Sequence, residues 1–597
     1  MDGELDLGAR VRADGSVGFK VWAPRAQQVS VELADGSGRS ARLDTADGEI
    51  FEGILADVGA GADYLYVLNQ EKRRPDPVSR SQPRGVHGPS RIVDPNAFSW
   101  TDHGWSGAPI EQHVLYELHV GTFTPAGTFE AVIERLPHLL ALGITAIEIM
   151  PVAEFPGARN WGYDGVHLFA PQSTYGGPVG LKKLVDACHR RGLGVVLDVV
   201  YNHLGPEGNY LSDFAPFFSD RYRTPWGDAV NVDGRGADGV RRHLIANALY
   251  WLTEYHVDGL RLDAIHGIFD GSTRHILEEL PTELRAQAAL LGRRALLIAE
   301  SDLNDVRVLN PRELGGHGFD SQWSDDFHHA VRTVLTGDRS GYFEDFGSVR
   351  DIEKAVVGGF VYDGQHSRHR QRRHGGSLGD RPGSQLVTYV QTHDQIANAS
   401  GGERLASLLD PARQNLAAAL LFVTPNVPML FMGEEYGEVA PFHYFIDHTD
   451  PALVDAVVQG RRKEHESFHD HRAFADPSLE RTFLASKLDW SRLDQAPHSH
   501  RLALYRDLIA LRRSTPALAN GRRDLTRASS SAEQEWLVIE RADPSGQIVL
   551  AVFNLSESAR AIPCAPREGR YRLALTTDAP RYGGAAEPPA SSLSLDV

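Results

Sequence analysis

Cysteine is scarce: Cys188 and Cys564 are the only two in 597 residues, which excludes a disulfide-framed scaffold. Cys188 shares one helical face with Leu181, Leu184 and Val185 at i, i+3, i+4 and i+7 spacing, so it reads as a core thiol rather than a ligand or nucleophile. The opening residues, MDGELDLGARVRADG, contain neither the basic nor the apolar segment of a secretion signal. No apolar run approaches membrane-spanning length, and the cytoplasm is the expected compartment. Positive charge is in deficit too. A formal net charge of −18 argues against nucleic acid, whose binders need a basic surface, and would be repelled by anionic membranes. A neutral ligand such as a sugar is compatible with it. Internal repeats and low-complexity tracts are also missing.

What is present has the length for two to four domains. Residues 1–105 read as short strands between turns, VGFKVWAP (17–24), VSVEL (29–33) and YLYVLN (64–69), which predicts an N-terminal β-sandwich. From residue 106 to 516 apolar strands alternate with helical patterns. The strands are HVLYELHVG (113–121), TAIEIMPVAEF (145–155), GVVLDVVYNH (194–203), GLRLDAIH (259–266), ALLIAES (295–301), LVTYVQTHD (386–394) and VPMLFMGEE (427–435). Helical patterns fall at 181–191 and at 241–256, where Leu244, Ala248, Trp251, Leu252 and Tyr255 make one apolar stripe. This alternation predicts an α/β fold, a (β/α)8 TIM barrel. A Pro-, Gly- and aromatic-rich stretch at 204–240 has no helical period and reads as an insertion after the third barrel strand. Residues 517–597 return to short strands such as EWLVIE (535–540) and IVLAVFNL (548–555), a C-terminal β-domain.

The chemistry lies where polar residues end the strands. Apolar runs lead into Asp198, Asn202 and His203; into Arg261, Asp263 and His266; into Glu300; and into His393 and Asp394. The C-terminal ends of barrel strands open into one mouth, so four strands deliver carboxylates and imidazoles to one place. A single acid at a strand end is more often a loop cap. Four in register carry a repulsion that is expected at a functional site. Arg261 and Asp263, two apart on a strand, share a face, and the cation would keep Asp263 ionised. Glu300 would need a raised pKa to act as general acid. Three carboxylates and an arginine suit glycosidic cleavage.

The segments DVVYNH (198–203), GLRLDAIH (259–266), LLIAES (296–301) and VQTHDQ (390–395) resemble the four signature regions of the α-amylase superfamily. The resemblance implies Asp263 as nucleophile, Glu300 as acid/base and Asp394 as transition-state stabiliser. It also implies sugar contacts from Arg261, His203, His393 and, in WGYDGV, the stacking Tyr163; Asp198 and His266 are taken with them as substrate-binding. Thr392 stands where the motif usually has Asn. Asn202 matches a calcium ligand of some amylases, but no further oxygen cage is evident, so neither a metal nor another cofactor is expected.

The segment KVWAPRAQQVSVEL (20–33) resembles the β-sandwich of branching, debranching and trehalose-releasing members. Longer strings, PDPVSRSQPRGVHGPS (75–90), GFVYDGQHSRHRQRRHG (359–375) and PFHYFIDH (441–448) with GRRKE (460–464), resemble the trehalose-releasing group. That implies malto-oligosyltrehalose as substrate and trehalose as product. HSRHRQRRHG reads equally as a solvated basic loop or as sugar contacts, MGEEYGE (432–438) as an acidic turn or part of the site, and PFHYF as sugar platforms or core. Two other readings are a branching or debranching enzyme on the same barrel and a non-catalytic glucan-binding protein. The complete Asp263, Glu300 and Asp394 set argues against the latter.

Overall fold

In the computed structural model the described residues are 7–398, 400–467, 474–564, 569–585 and 592–595. The first six residues, part of the C-terminal segment and the Glu464 side chain, all included in the readings above, lie outside them.

Eight antiparallel strands between Gly8 and Arg91 form one sheet. Its strands alternate, as in Val29–Leu33, where Val29, Val31 and Leu33 are buried and Ser30 and Glu32 are not fully so. Three strands separate Val17–Trp22 from Asp63–Leu68 in the sheet order, yet the rings of Phe19 and Tyr64 meet at 5.0 Å. The sheet therefore folds over on itself, and its apolar faces make the sandwich core.

The barrel is closed and parallel. Its strands are Leu115–Leu118, Ala146–Ile149, Gly194–Val199, Gly259–Leu262, Leu296–Ala299, Ser321–Trp323, Leu386–Thr388 and Val427–Phe431. The sequence identifies seven of these. Ser321–Trp323, the sixth, is three residues long, two of them polar, too short for any periodicity to register. Cys188 lies fully buried on the helix Gly177–His189, as its spacing predicts.

The insertion after the third strand is shorter than the sequence suggests, because the next helix begins at Ala237 rather than 241. Between them lie a short helix, Leu211–Phe214, and a hairpin, Phe218–Thr224 with Gly227–Val230. The base of the insertion joins the sandwich to the barrel. Phe217 packs edge-on to Trp22 at 5.6 Å and Phe214 to Tyr66 at 6.4 Å, while Asp213 receives Lys72 (2.6 Å) and Arg74 (2.7 Å). The Trp22 indole also covers Gly239 on the helix Ala237–Glu254, where an added Cβ would fall 2.0 Å from the ring.

At the other end, a sheet of Thr526–Ser531, Trp536–Ala542 and Ile548–Asn554 follows the barrel. Arg512 donates to the carbonyls of Phe422 (2.9 Å) and Thr424 (2.7 Å), and Arg541 to that of Val423 (2.9 Å). These are the open carbonyls at the end of the helix Pro411–Val423, where a cation is favoured.

If the Trp22–Gly239 contact locks the sandwich to the barrel, Gly239→Ala should cost about 1–3 kcal/mol by overpacking. Thermal unfolding would show a lowered midpoint; an unchanged one would mean that the contact yields freely.

Candidate active site

Strand alternation decides what faces the barrel axis. Leu115, Ala146, Val196, Leu296, Ile298, Val387, Val427 and Met429 form an apolar cluster in the interior. Two residues further along their strands, the same face carries Glu117, Glu148, Asp198 and Glu300. Arg261, in register with Asp198 and Ile298, joins this layer. The interior is thus apolar below and charged above.

Arg261 is the hub of the charged layer and is 0% exposed. Nη1 donates to Asp198 Oδ2 (2.8 Å) and Asp263 Oδ1 (2.9 Å). Nη2 stands 2.9 Å from Glu300 Oε2, an ion pair without the alignment of a hydrogen bond. The guanidinium lies 4.2 Å from the ring centroid of Trp323, from the sixth strand. Asp263 also accepts from Asn202 Nδ2 (2.7 Å). Burial alone would raise its pKa, but Arg261, His203 and the Asn202 bond outweigh it, and Asp263 is held below the usual carboxylate range. Glu300 moves the opposite way. Burial pushes it well above its ordinary value, Arg261 opposes this, and the negative charges of Asp263 and Asp394 add to the rise. One arginine thus serves two carboxylates whose environments separate their proton affinities, an arrangement in which one can stay ionised while the other holds a proton.

The backbone between them is strained. Ala264 has φ 37° and ψ 53°, a left-handed conformation costly for a residue with a Cβ. The turn aims the Ala264 N–H at Glu300 Oε2 (2.8 Å).

A second chain of contacts reaches the same place. His393 Nδ1 closely contacts Glu117 Oε1, and its Nε2 lies 2.9 Å from Tyr163 Oη. Tyr163 donates to Asp198 Oδ2 (2.7 Å). Burial would lower the His393 pKa, but Glu117 and then Asp394 raise it to about 9. Asp198, raised to about 7 chiefly by burial, lies between the two chains. His203 is fixed by Asn202 Oδ1 and the Tyr163 carbonyl (3.0 Å), and Trp226 stacks on it at 5.3 Å.

Above this floor lies a cleft of ≈ 720 Å³. Tyr163, His203, Asp263, His266, Glu300, His393 and Asp394 line it. Asp198 and Arg261 do not. The structure places these two beneath the floor, acting through Tyr163, Asp263 and Glu300, because both are enclosed by the barrel wall and each other. Asp394, on the first turn of the helix His393–Asn398, has a side chain 37% exposed.

The longer strings divide. His443 and Tyr444 line the cleft while Phe442 and Phe445 are core, so PFHYF serves both purposes. Arg461 of GRRKE lines it too. Residues 363–375 form a hairpin, Asp363–Ser367 with Arg372–Gly375, that is absent from the lining; it acts through Arg370, which pairs with Asp302 (2.9 Å). Asp302 does line the cleft, beside His266 (3.9 Å). MGEEYGE is neither exposed nor at the site. Glu434, Glu435 and Glu438 are buried on Tyr505 (3.0 Å), His138 (2.8 Å) and Tyr436 (2.9 Å).

Glu117, Glu148, Trp226, Asp302 and Tyr342 were not picked out from sequence. For the two glutamates a signal existed, an acid amid apolar residues in LYEL and AIEI, inward by alternation. Asp302 adjoins a motif. Tyr342 sits in the single helical turn Gly341–Phe343 and Trp226 at a hairpin tip, and no local pattern marks either. Asn202 uses both ends of its amide internally, on Asp263 and His203. It therefore presents no oxygen to a calcium ion, and among the described residues no group of three His, Cys, Asp or Glu is placed to hold a metal.

A buried arginine contacting three carboxylates at the C-terminal mouth of a closed (β/α)8 barrel fits the glycoside hydrolase expected from the strand-end motifs. The alpha amylase catalytic domain family matches residues 79–223, and carbohydrate-binding module 48, the isoamylase N-terminal domain, matches 6–97. The chain is 45% identical to malto-oligosyltrehalose trehalohydrolase of Saccharolobus solfataricus over 93% of each chain, and 43% identical to that of Rhizobium sp. M-11 over 96% of each. The chain belongs to the malto-oligosyltrehalose trehalohydrolase family. A crystallised Salmonella typhimurium protein named as an alpha amylase is 38% identical, with a TM-score of 0.88 over 99% of this chain and 98% of that one. A Group B Streptococcus pullulanase bound to maltotetraose shares the fold at a TM-score of 0.69 and 18% identity, over 93% of this chain and 81% of that one.

The shifts set the expected pH dependence of kcat/KM. With Asp263 as the expected nucleophile and Glu300 as the expected acid, activity should fall as pH drops through the lowered pKa of Asp263 and again as pH rises through the raised one of Glu300. Asp394→Asn removes one charge that holds the Glu300 proton, so the residual activity should lose its alkaline limb at lower pH. A limb that stays in place would take Asp394 out of that balance. Arg261→Lys, which cannot serve both carboxylates as a planar fork, should lower kcat by about 10²–10³; a loss confined to KM would contradict the hub role.

Proposed function

We propose that the chain hydrolyses the α-1,4-glucosidic bond next to the terminal trehalose unit of malto-oligosyltrehalose, releasing trehalose and a malto-oligosaccharide. The observation that carries the mechanism is the Asp263–Arg261–Glu300 bridge at the cleft floor. Asp263 attacks the anomeric carbon while Glu300 passes its proton to the departing glycosidic oxygen, so that trehalose leaves and the glucan stays esterified to Asp263. Water then gives a proton to Glu300 and attacks the same carbon, freeing Asp263. Two inversions give net retention. A shared guanidinium suits the about 5–5.5 Å carboxyl separation of retaining enzymes rather than the wider gap that admits a water. Asp394 stabilises the positive charge that develops on the sugar. His203 and His393 contact the sugar at the cleavage point, and Tyr163 stacks against it.

The acid protonates the leaving group, so trehalose lies on the Glu300 side of the cleft. Asp302, two residues beyond Glu300, and His266 beside it (3.9 Å) line the cleft and are the proposed contacts there. In this reading residues 1–105 are a sandwich module, 106–516 the catalytic barrel and 517–597 a C-terminal β-domain. The cytoplasm is the proposed compartment: both cysteines are unpaired, so the fold does not rest on a disulfide. Among the described residues no helix is long and apolar enough to cross a membrane.

Incubation with malto-oligosyltrehalose should release trehalose, with the oligosaccharide appearing first as its α-anomer by proton NMR, and plain malto-oligosaccharide should be a poor substrate. Absence of trehalose, or formation of α-1,6 linkages, would favour a branching enzyme. Glu300→Gln should lower turnover by about 10²–10⁴ while binding persists.

A further inference from the structure

The first two barrel strands carry carboxylates that the mechanism above does not use. Glu117 and Glu148 occupy registered positions on the parallel pair Leu115–Leu118 and Ala146–Ile149, and each is 1% exposed. Registered residues on adjacent strands project from the same face, so the two lie side by side in the barrel interior. Their surroundings differ. Glu117 holds His393 twice, Oε1 on the ring Nδ1 and Oε2 on the backbone N–H (3.3 Å). Neither oxygen of Glu148 has a hydrogen-bond partner among the described residues.

The charged groups that face Glu148 are Glu117 and Asp198, both acids, and Arg261 and His393, both cations. Both cations are committed. Arg261 serves Asp198, Asp263 and Glu300, and His393 is held by Glu117. An ionised Glu148 would be a buried charge without a counter-ion, beside a second carboxylate. Burial, reinforced by Glu117, pushes its pKa well above the ordinary value.

We propose that Glu117 and Glu148 hold one proton and one negative charge between them, with the proton on Glu148, and that Glu117 is a positioning residue keeping His393 a cation. His393 then donates from both ring nitrogens, Nδ1 to Glu117 and Nε2 toward Tyr163 or a sugar hydroxyl. This rests on the reading in which His393 contacts the sugar. Glu148 supplies a neutral acid where a second negative charge would draw His393 and Arg261 away from the nucleophile.

The test uses the full chain. Without substrate, infrared spectra near neutral pH should show protonated carboxyl absorption, part of it from Glu300, with a component that Glu148→Gln removes. In protein with 15N-labelled histidine, His393 should be doubly protonated in the wild type and in Glu148→Gln, and neutral in Glu117→Gln. With substrate, Glu117→Gln should lower kcat about 100-fold with a smaller change in KM, the size of loss that follows removal of a supporting partner. Glu148→Leu should also lose activity, with Gln at that position restoring kcat to within about threefold of wild type. An unchanged carboxyl band in Glu148→Gln, or a His393 ring that stays charged in Glu117→Gln, would overturn the proposal. Should Glu117→Gln not fold, the wild-type and Glu148→Gln spectra decide. Because the spectra need no substrate, failure to release trehalose with the spectra as expected would count against the function reading alone.

Discussion

Arg261 has no contact with water, yet it stands 2.8–2.9 Å from three carboxylates on three barrel segments. Taking that many charges out of water is unfavourable unless each has a partner, and removing one partner leaves the others uncompensated. The constraint runs both ways. The strand register that places Asp198 opposite Arg261 is what makes the cluster tolerable, and the cluster penalises any other register. The apolar layer below it and the Trp323 ring beside it exclude water, so each interaction acts in a low dielectric. The strain at Ala264 belongs to the same bargain. It is tolerated because the turn delivers an N–H to Glu300.

The opposite pKa shifts of Asp263 and Glu300 follow from position rather than residue type. Asp263 is buried, the Glu300 side chain is 18% exposed, and both touch Arg261. Asp263 adds His203 and a hydrogen bond from Asn202, whereas Glu300 meets the negative charges of Asp263 and Asp394. The same separation recurs within the charged layer, where Glu117 has a histidine and Glu148 has none. Such paired environments let one barrel mouth hold protons and charges in fixed places.

Outside the barrel, one insertion links structure to site. Its base carries Asp213, Phe214 and Phe217 into the sandwich, and its tip carries Trp226, 48% exposed, over His203. The basic hairpin 363–375 likewise reaches the cleft through a single ion pair, Arg370 to Asp302. In the proposed function, selection among glucans falls to loops that the scaffold steadies, and bond cleavage to strand ends.

Much of this was legible in the chain itself. Seven of eight barrel strands, the sandwich and the acids at the strand ends follow from strand patterning, and the buried Cys188 from helical spacing; both periods are local properties of covalent geometry. The sixth strand was not legible, since three residues hold no period. The helix start at Ala237 was hidden because a helix terminus is set by capping and packing, here under Trp22. Sequence could pair Arg261 with Asp263, two residues apart. It could not show that Arg261 also meets Asp198 and Glu300 and lies beneath the cleft, nor that Glu435 faces His138 instead of a sugar. Spacing along a strand determines which residues share a face. Which faces meet across a closed barrel, and which charges they must then share, is decided only when distant strands are brought together away from water.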